Sequence, residues 1–419
     1  MNFLHTEIGS ARDNQRSPIH NWYKFTAGFS YKFVEEIIKL EGLKDVDNAE
    51  IFDPFAGCGT TLVSSQKEGV KAVGNESQAF MFDIIKAKLN WSIKRDRVNK
   101  YLSIIKNFVD ENLFDVESSA NPLLISLYDS EDLEQLYLIR NSAEVIKSEK
   151  YRLFFKLALS QSLHEVANHP IAVPYISRKK LLSNEKSVWD VFSSICKKMV
   201  EDTESLDDLI YSKIYKQDSR KVNRFIEDDR CITCITSPPY LNNLDYGEVS
   251  KVHTHFFDIT SSWNDITNKI RKKLVTGATT HYNKSDFNKE KFLESDFAKD
   301  NMEIVLGLME TSRNIKNKAI DKGGKKSFDL LLLFYFRDMY LVLKEIKRVL
   351  MQTGKAYLIL GDSAPYGVYV PTTKILGEIA MNIGFESYEI HKIRTRGTKW
   401  KTLKHRHSIE LNENVLILK

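Results

Sequence analysis

The segment AEIFDPFAGCGTTLVSSQKEGVKAVGNE, residues 49–76, constrains the fold more than any other part of the chain. An apolar run ends in Asp53, a turn carries Gly57 and Gly59, a helix-like stretch closes at Gly69, and a second apolar run ends in Glu76. Strand, turn, helix and strand in so short a span describe a βαβ unit, which needs a parallel sheet covered by helices on both faces. In such sheets ligands bind outside the carboxyl ends of the strands, where the glycine turn lies.

The rest of the chain extends this pattern. Long amphipathic stretches fill residues 79–209, strand character returns at SKIYKQD (212–218) and RCITCIT (230–236), and a polar stretch with short helical pieces follows to residue 326. Then come a strongly apolar helix (SFDLLLLFYFRDMYLVLKEIKRVL), a buried strand (GKAYLILGDSA), another helix and two closing strands (ESYEIHKIR and ENVLILK). The expectation is a Rossmann-like α/β fold: a doubly wound sheet of seven strands with an antiparallel final pair, interrupted twice. Residues 1–78 carry the N-terminal part of the core, 79–210 a helical insertion, 211–240 core strands, 241–326 a second, polar insertion, and 327–419 the C-terminal part of the core.

Composition is that of an ordinary globular chain, 419 residues with 42% hydrophobic and 28% charged. No run approaches a membrane span and the N-terminus lacks the pattern of a signal peptide, so a cytoplasmic protein is expected. Four scattered cysteines, Cys58, Cys196, Cys231 and Cys234, suit a reducing compartment. Cys231 and Cys234 form a CxxC, but it lies inside a strand where positions three apart point to opposite faces, and no second ligand pair completes a site. No metal is expected. The net charge of +5 is mild, yet residues 391–407, HKIRTRGTKWKTLKHRH, hold no acid. Lys399, Trp400, Lys401 and Arg406 there are candidate phosphate contacts.

DPFAGCGTT lacks both the GxGxxG of a dinucleotide fingerprint and the GK[ST] of a phosphate loop. A carboxylate suits the free N–H groups of the helix start as well as a phosphate does. Glu76 is placed to accept from ribose hydroxyls and Asp53 from an ammonium. Amine, carboxylate and ribose together describe S-adenosylmethionine.

A second motif, SPPY (residues 237–240), directly follows a strand. A proline pair removes two backbone donors and holds the preceding residues extended, leaving carbonyls near Ser237 and Pro238 free to accept from something outside the backbone.

With both motifs in hand, the sequence resembles the DNA methyltransferases that modify an exocyclic amine, cytosine N4 or adenine N6, using S-adenosylmethionine. DPFAGCGTT is similar to their cofactor motif, which assigns Asp53, Phe55, Ala56, Gly57, Gly59, Thr60 and Thr61 to the cofactor, with Cys58 where serine is commoner. HNWYKFTAGFSYKFVEEII (20–38) looks like the strip that closes over the methionine end, through Tyr23, Lys24 and Phe25. Asp218 matches the acidic position that takes the cofactor's adenine amine.

SPPY is similar to the catalytic tetrapeptide, Ser237, Pro238, Pro239 and Tyr240. Its serine is typical of the cytosine-N4 group, with aspartate or asparagine commoner in adenine-N6 enzymes. The resemblance implies acceptors that localise the amine's lone pair, Tyr240 stacked on a base taken out of the duplex, and direct displacement without a covalent intermediate. Asp245, Tyr246, Asp362 and Ser363 are further candidates near the site. The implied partners are double-stranded DNA and a restriction endonuclease encoded separately. An adenine-N6 enzyme, an RNA amino-methyltransferase and a catalytically silent DNA-binding subunit stay open, as does the choice between the two insertions as reader of the target.

Overall fold

The computed structural model describes residues 11–419 except 26, 172–174, 178–186, 207–211, 322, 325 and 397–408. Seven strands build one sheet: β1 (Glu50–Asp53), β2 (Lys71–Asn75), β3 (Ser212–Tyr215), β4 (Cys231–Thr236), β5 (Leu350–Gly361), β6 (Tyr388–Arg396) and β7 (Leu411–Leu418). Their spatial order is β3-β2-β1-β4-β5-β7-β6. β1 to β5 pair in parallel, and β7 runs antiparallel to both β5 and β6. All seven strands stand where hydrophobic patterning puts them, and the fold is the expected α/β, Rossmann-like methyltransferase sheet.

The strand order reverses between β1 and β4, where Phe52 pairs with Cys234. This is the topological switch point, and the crevice beside it is where such sheets bind ligands. Both motifs leave the sheet here, one from each strand.

Helices cover both faces. On one side lie α1 (Tyr31–Leu40), α2 (Thr60–Lys67) and α3 (Ala79–Leu89), followed by α4 (Arg95–Glu111), α5 (Ser130–Glu144), α6 (Glu149–Val166) and α7 (Val188–Glu201). On the other lie α8 (Met302–Asp321), α9 (Phe328–Val349) and α10 (Thr372–Ile383). The period-2 alternation of the strands divides the core accordingly. Ile51, Ala72, Ile235 and Val415 pack with the first set, and Phe52, Val73, Leu358 and Leu416 with the second.

Within the helical insertion, α3 packs on α2 and β3 as the crossover helix of the sheet, and α6 packs on α3. Leu136, Phe155 and Phe192 of the later helices belong to the same apolar cluster as Ile51 of β1, so insertion and sheet share one core. α2 is buried from Thr60 to Gln66. Its small polar residues make this closeness feasible, with Ser65 Oγ bonded to the Thr61 carbonyl and Gln66 Nε2 to that of Leu89.

Two local expectations are corrected. The second insertion holds a 20-residue helix, α8, where only short pieces were expected. Its buried residues are few and widely spaced, Val305, Leu308 and Ile315 among them, which makes the helical period faint. Cys231 and Cys234 are buried and unbridged as expected, but both pack in the same layer. The β4–β5 register shifts between Cys231 and Thr233, which undoes strict alternation. Among the described residues no group of side chains could hold a metal ion, and no helix is long and apolar enough to cross a membrane.

Candidate active site

The glycine turn is built by backbone geometry. Gly57 and Gly59 have φ of 56° and 86°, the left-handed region that side chains disfavour, and Gly59 caps α2. The Ala56 N–H donates to the Asn75 carbonyl at 3.0 Å, and the Gly57 N–H to Glu76 Oε2 at 3.1 Å. Glu76 Oε1 accepts from the Gln78 N–H at 2.8 Å. The end of β2 thus holds the turn that leaves β1.

Two further bonds tie the turn to β4. Thr236 Oγ1 donates to Asp53 Oδ1 at 2.7 Å, and Thr61 Oγ1 donates to the Ile235 carbonyl at 3.1 Å. Asp53 Oδ1 also accepts from the Phe55 N–H at 3.0 Å. The last residues before SPPY are therefore fastened to DPFAGCGTT across the switch point. Burial pushes the Asp53 carboxyl up to about 6 and that of Glu76 up to about 7, against the hydrogen bonds each accepts.

A cavity opens at this edge, about 910 Å³ including the solvent at its mouth. Of the residues expected at the site, Tyr23, Phe25, Phe55, Ala56, Gly57, Thr60, Glu76, Asp218, Ser237 and Pro239 line it. Tyr23 is held edge-on against Phe80, His164 and His253, with ring centroids 5.7, 5.8 and 5.4 Å away. Asn14 fixes the strip behind it, donating to the Phe29 carbonyl at 2.8 Å.

Lys24, Asp53, Gly59, Thr61, Pro238 and Tyr240 are not in the lining. Lys24 is exposed and its N–H bonds Gln161, beside the cavity. Asp53 and Thr61 serve as the ties just described, and Asp53 is 1% exposed, beneath the turn instead of at the surface an ammonium would touch. Tyr240 differs most from expectation. Its hydroxyl donates to Glu413 Oε1 at 2.9 Å, and the Arg396 guanidinium sits 4.8 Å from its ring centroid.

Ser237 Oγ donates to the Ile359 carbonyl at 3.3 Å, which commits its proton and leaves its lone pairs as acceptors. Among the described residues no backbone N–H donates to the Ser237 or Pro238 carbonyl. Tyr246 lines the cavity. Asp245 instead anchors the second insertion through Arg271, whose Nε lies 2.9 Å and Nη2 2.6 Å from Oδ2. Burial opposes that charge, but contacts with His281, Arg271 and Thr280 hold the Asp245 carboxyl well below the usual range. Asp362 accepts from the Tyr369 hydroxyl at 2.9 Å and Ser363 bridges to Val370, both outside the lining. Lys399, Trp400, Lys401 and Arg406 lie outside the described residues.

Sequence reasoning missed part of the wall. Asn75, Ser77 and Gln78 flank Glu76 and share its strand exit, a signal that was available. Gly28 and Phe29 belong to the strip 20–38 without having been singled out, while Met81, Val249, Ser250 and the run Lys273, Leu274 and Val275 have no local signature, because tertiary closure alone brings them there.

The lining suits S-adenosylmethionine. It offers carboxylates at Glu76 and Asp218, apolar faces at Phe25, Phe29, Phe55 and Leu274, and the Asn75 amide, whose Nδ2 is buried with no partner among the described residues. An unpartnered buried donor in a cavity wall is a position for a ligand acceptor.

No family model matches the chain. Among curated proteins it is similar to the type II methyltransferases M.BsoBI of Geobacillus stearothermophilus (22% identity, 93% of this chain and 83% of that one), M.MvaI of Kocuria varians (20%, 92% and 85%) and M.AvaI of Anabaena variabilis (23%, 92% and 83%). Identity at this level is low but extends over more than nine-tenths of the chain. Over that length the chain is thus similar to type II methyltransferases.

Proposed function

We propose that this protein is a site-specific DNA methyltransferase that moves a methyl group from S-adenosylmethionine to the N4 amine of cytosine, as the modification enzyme of a restriction-modification system. The observation that carries this is the arrangement of Ser237 and Pro239 in the same cavity as Gly57 and Glu76, with β4 bonded to the glycine turn behind them. Similarity to type II methyltransferases along nearly the whole chain supports it.

The bound cofactor supplies an electrophilic methyl on a sulfonium. Everything else falls to the chain. Glu76 accepts ribose hydroxyl protons, Asp218 accepts from the adenine amine, and Tyr23 and Phe25 cover the methionine end. An exocyclic amine on cytosine is a weak nucleophile because its lone pair is delocalised. Ser237 Oγ and the Ser237 carbonyl, to which no backbone N–H among the described residues donates, accept its hydrogens, which favours a pyramidal nitrogen with its lone pair toward the methyl. Rigidity from Pro238 and Pro239 keeps these acceptors aligned, so proximity supplies much of the rate. No enzyme nucleophile is needed.

The same acceptors would serve adenine N6, and the serine of SPPY favours cytosine. The test is to incubate the protein with mixed-sequence duplex DNA and labelled S-adenosylmethionine, digest to nucleosides and weigh the products. N4-methylcytosine is expected. N6-methyladenine would keep the fold and cofactor but overturn the base assignment, and no methylated base at all would sink the proposal.

A further inference from the structure

Arg220 has no part in either motif, yet its side chain joins Asp218, which lines the cavity, to Lys272 and Asp338. Its Nε lies 3.0 Å from Asp218 Oδ1 and its Nη2 2.8 Å from Asp218 Oδ2, a two-pronged fork, and its own N–H donates to Oδ1 at 3.0 Å. Nη2 also donates to the Lys272 carbonyl at 2.7 Å, and Nη1 to Asp338 Oδ2 at 3.1 Å. Asp338, on α9, is 1% exposed and accepts from the Thr276 N–H and Oγ1 at 3.1 and 2.8 Å. Between the two anchors at Lys272 and Thr276 lie Lys273, Leu274 and Val275, a wall of the same cavity that Asp218 lines.

An ionised carboxylate has about four acceptor positions. Arg220 occupies two at Oδ1 and one at Oδ2, which leaves a single position on Asp218 among the described residues. We infer that Arg220 is the positioning residue for the purine end of the cofactor: by fixing that one acceptor and the facing wall together, it makes the site demand an amine on the purine. This rests on the cofactor assignment above. A purine with an amino group at C6 donates into the remaining position. One with a carbonyl there brings its own lone pairs against the carboxylate and is rejected.

Arg220→Gln removes the fork, and Arg220→Lys keeps the charge without the planar geometry. The test measures, by calorimetry, the affinities of the full-length protein and both variants for S-adenosylhomocysteine and for S-inosylhomocysteine, its C6-carbonyl analogue. The unaltered protein is expected to prefer the amine by more than about tenfold, and both variants to lose most of that preference. Thr276→Val, which loosens only the wall's anchor, is expected to weaken both ligands alike and leave their ratio unchanged. Should Arg220→Gln fail to fold, Arg220→Lys carries the test. Equal weakening of both ligands in Arg220→Lys, or no change, would overturn the inference. Failure of the unaltered protein to bind S-adenosylhomocysteine would instead overturn the cofactor assignment.

Discussion

Ser237 and Glu76 face one cavity with different tasks, and each makes a separable prediction. Ser237→Ala should lower kcat by about a hundredfold, the cost of one aligned polar partner at a reacting centre, with cofactor affinity measured by calorimetry unchanged. Glu76 titrates near neutrality because burial raises it from its ordinary 4.5 to about 7. Between those values the folded chain holds a proton that the unfolded chain has released. Its contribution to stability is therefore complete below 4.5 and is lost as pH rises through about 7. Cofactor binding runs the other way, since hydroxyl donors need the carboxylate, so affinity should rise through the same window. Glu76→Gln should flatten both profiles, read by thermal melting and calorimetry across that range. Glu76 and Ser237 were legible because each directly follows a hydrophobic run. Arg220 was not, since its meaning depends on Asp338 and Lys272, partners 118 and 52 residues away.

At the scale of elements, the site is a product of how β1 and β4 are fastened. Gly59→Ala forces a side chain into φ 86° beside Ile85 and should cost about 1–2 kcal/mol, measured by denaturant unfolding. Thr236→Val leaves the buried Asp53 carboxyl short of a donor, with a cost of about 1–3 kcal/mol, and should also weaken cofactor binding by loosening the turn. Every strand was readable from its apolar run and flanking turn residues, because burial writes itself locally. Long-range pairing does not. Nothing in Lys273, Leu274 and Val275 announces a cavity wall, and nothing in SPPY tells that the Tyr240 ring lies under Arg396 and its hydroxyl against Glu413.

For the whole molecule, the shared core decides what can be separated. A fragment of residues 79–210 would expose the faces of Leu136, Phe155 and Phe192 that pack toward the sheet. It should fail to give a cooperative melt or sharp side-chain signals in solution, and a sharp transition would show that the insertion is a unit of its own. The fastening across the switch point has a wider consequence. The cofactor turn and SPPY are neighbours in space, while the entire helical insertion separates them along the chain. Their meeting depends on strand pairing and not on an unbroken connection. Two polypeptides divided in the loop between β3 and β4, where Val222 and Phe225 are exposed, would each carry one motif and no working site. On the proposed function, methylation could then be made to report the moment two pieces find each other, with DNA as the permanent record.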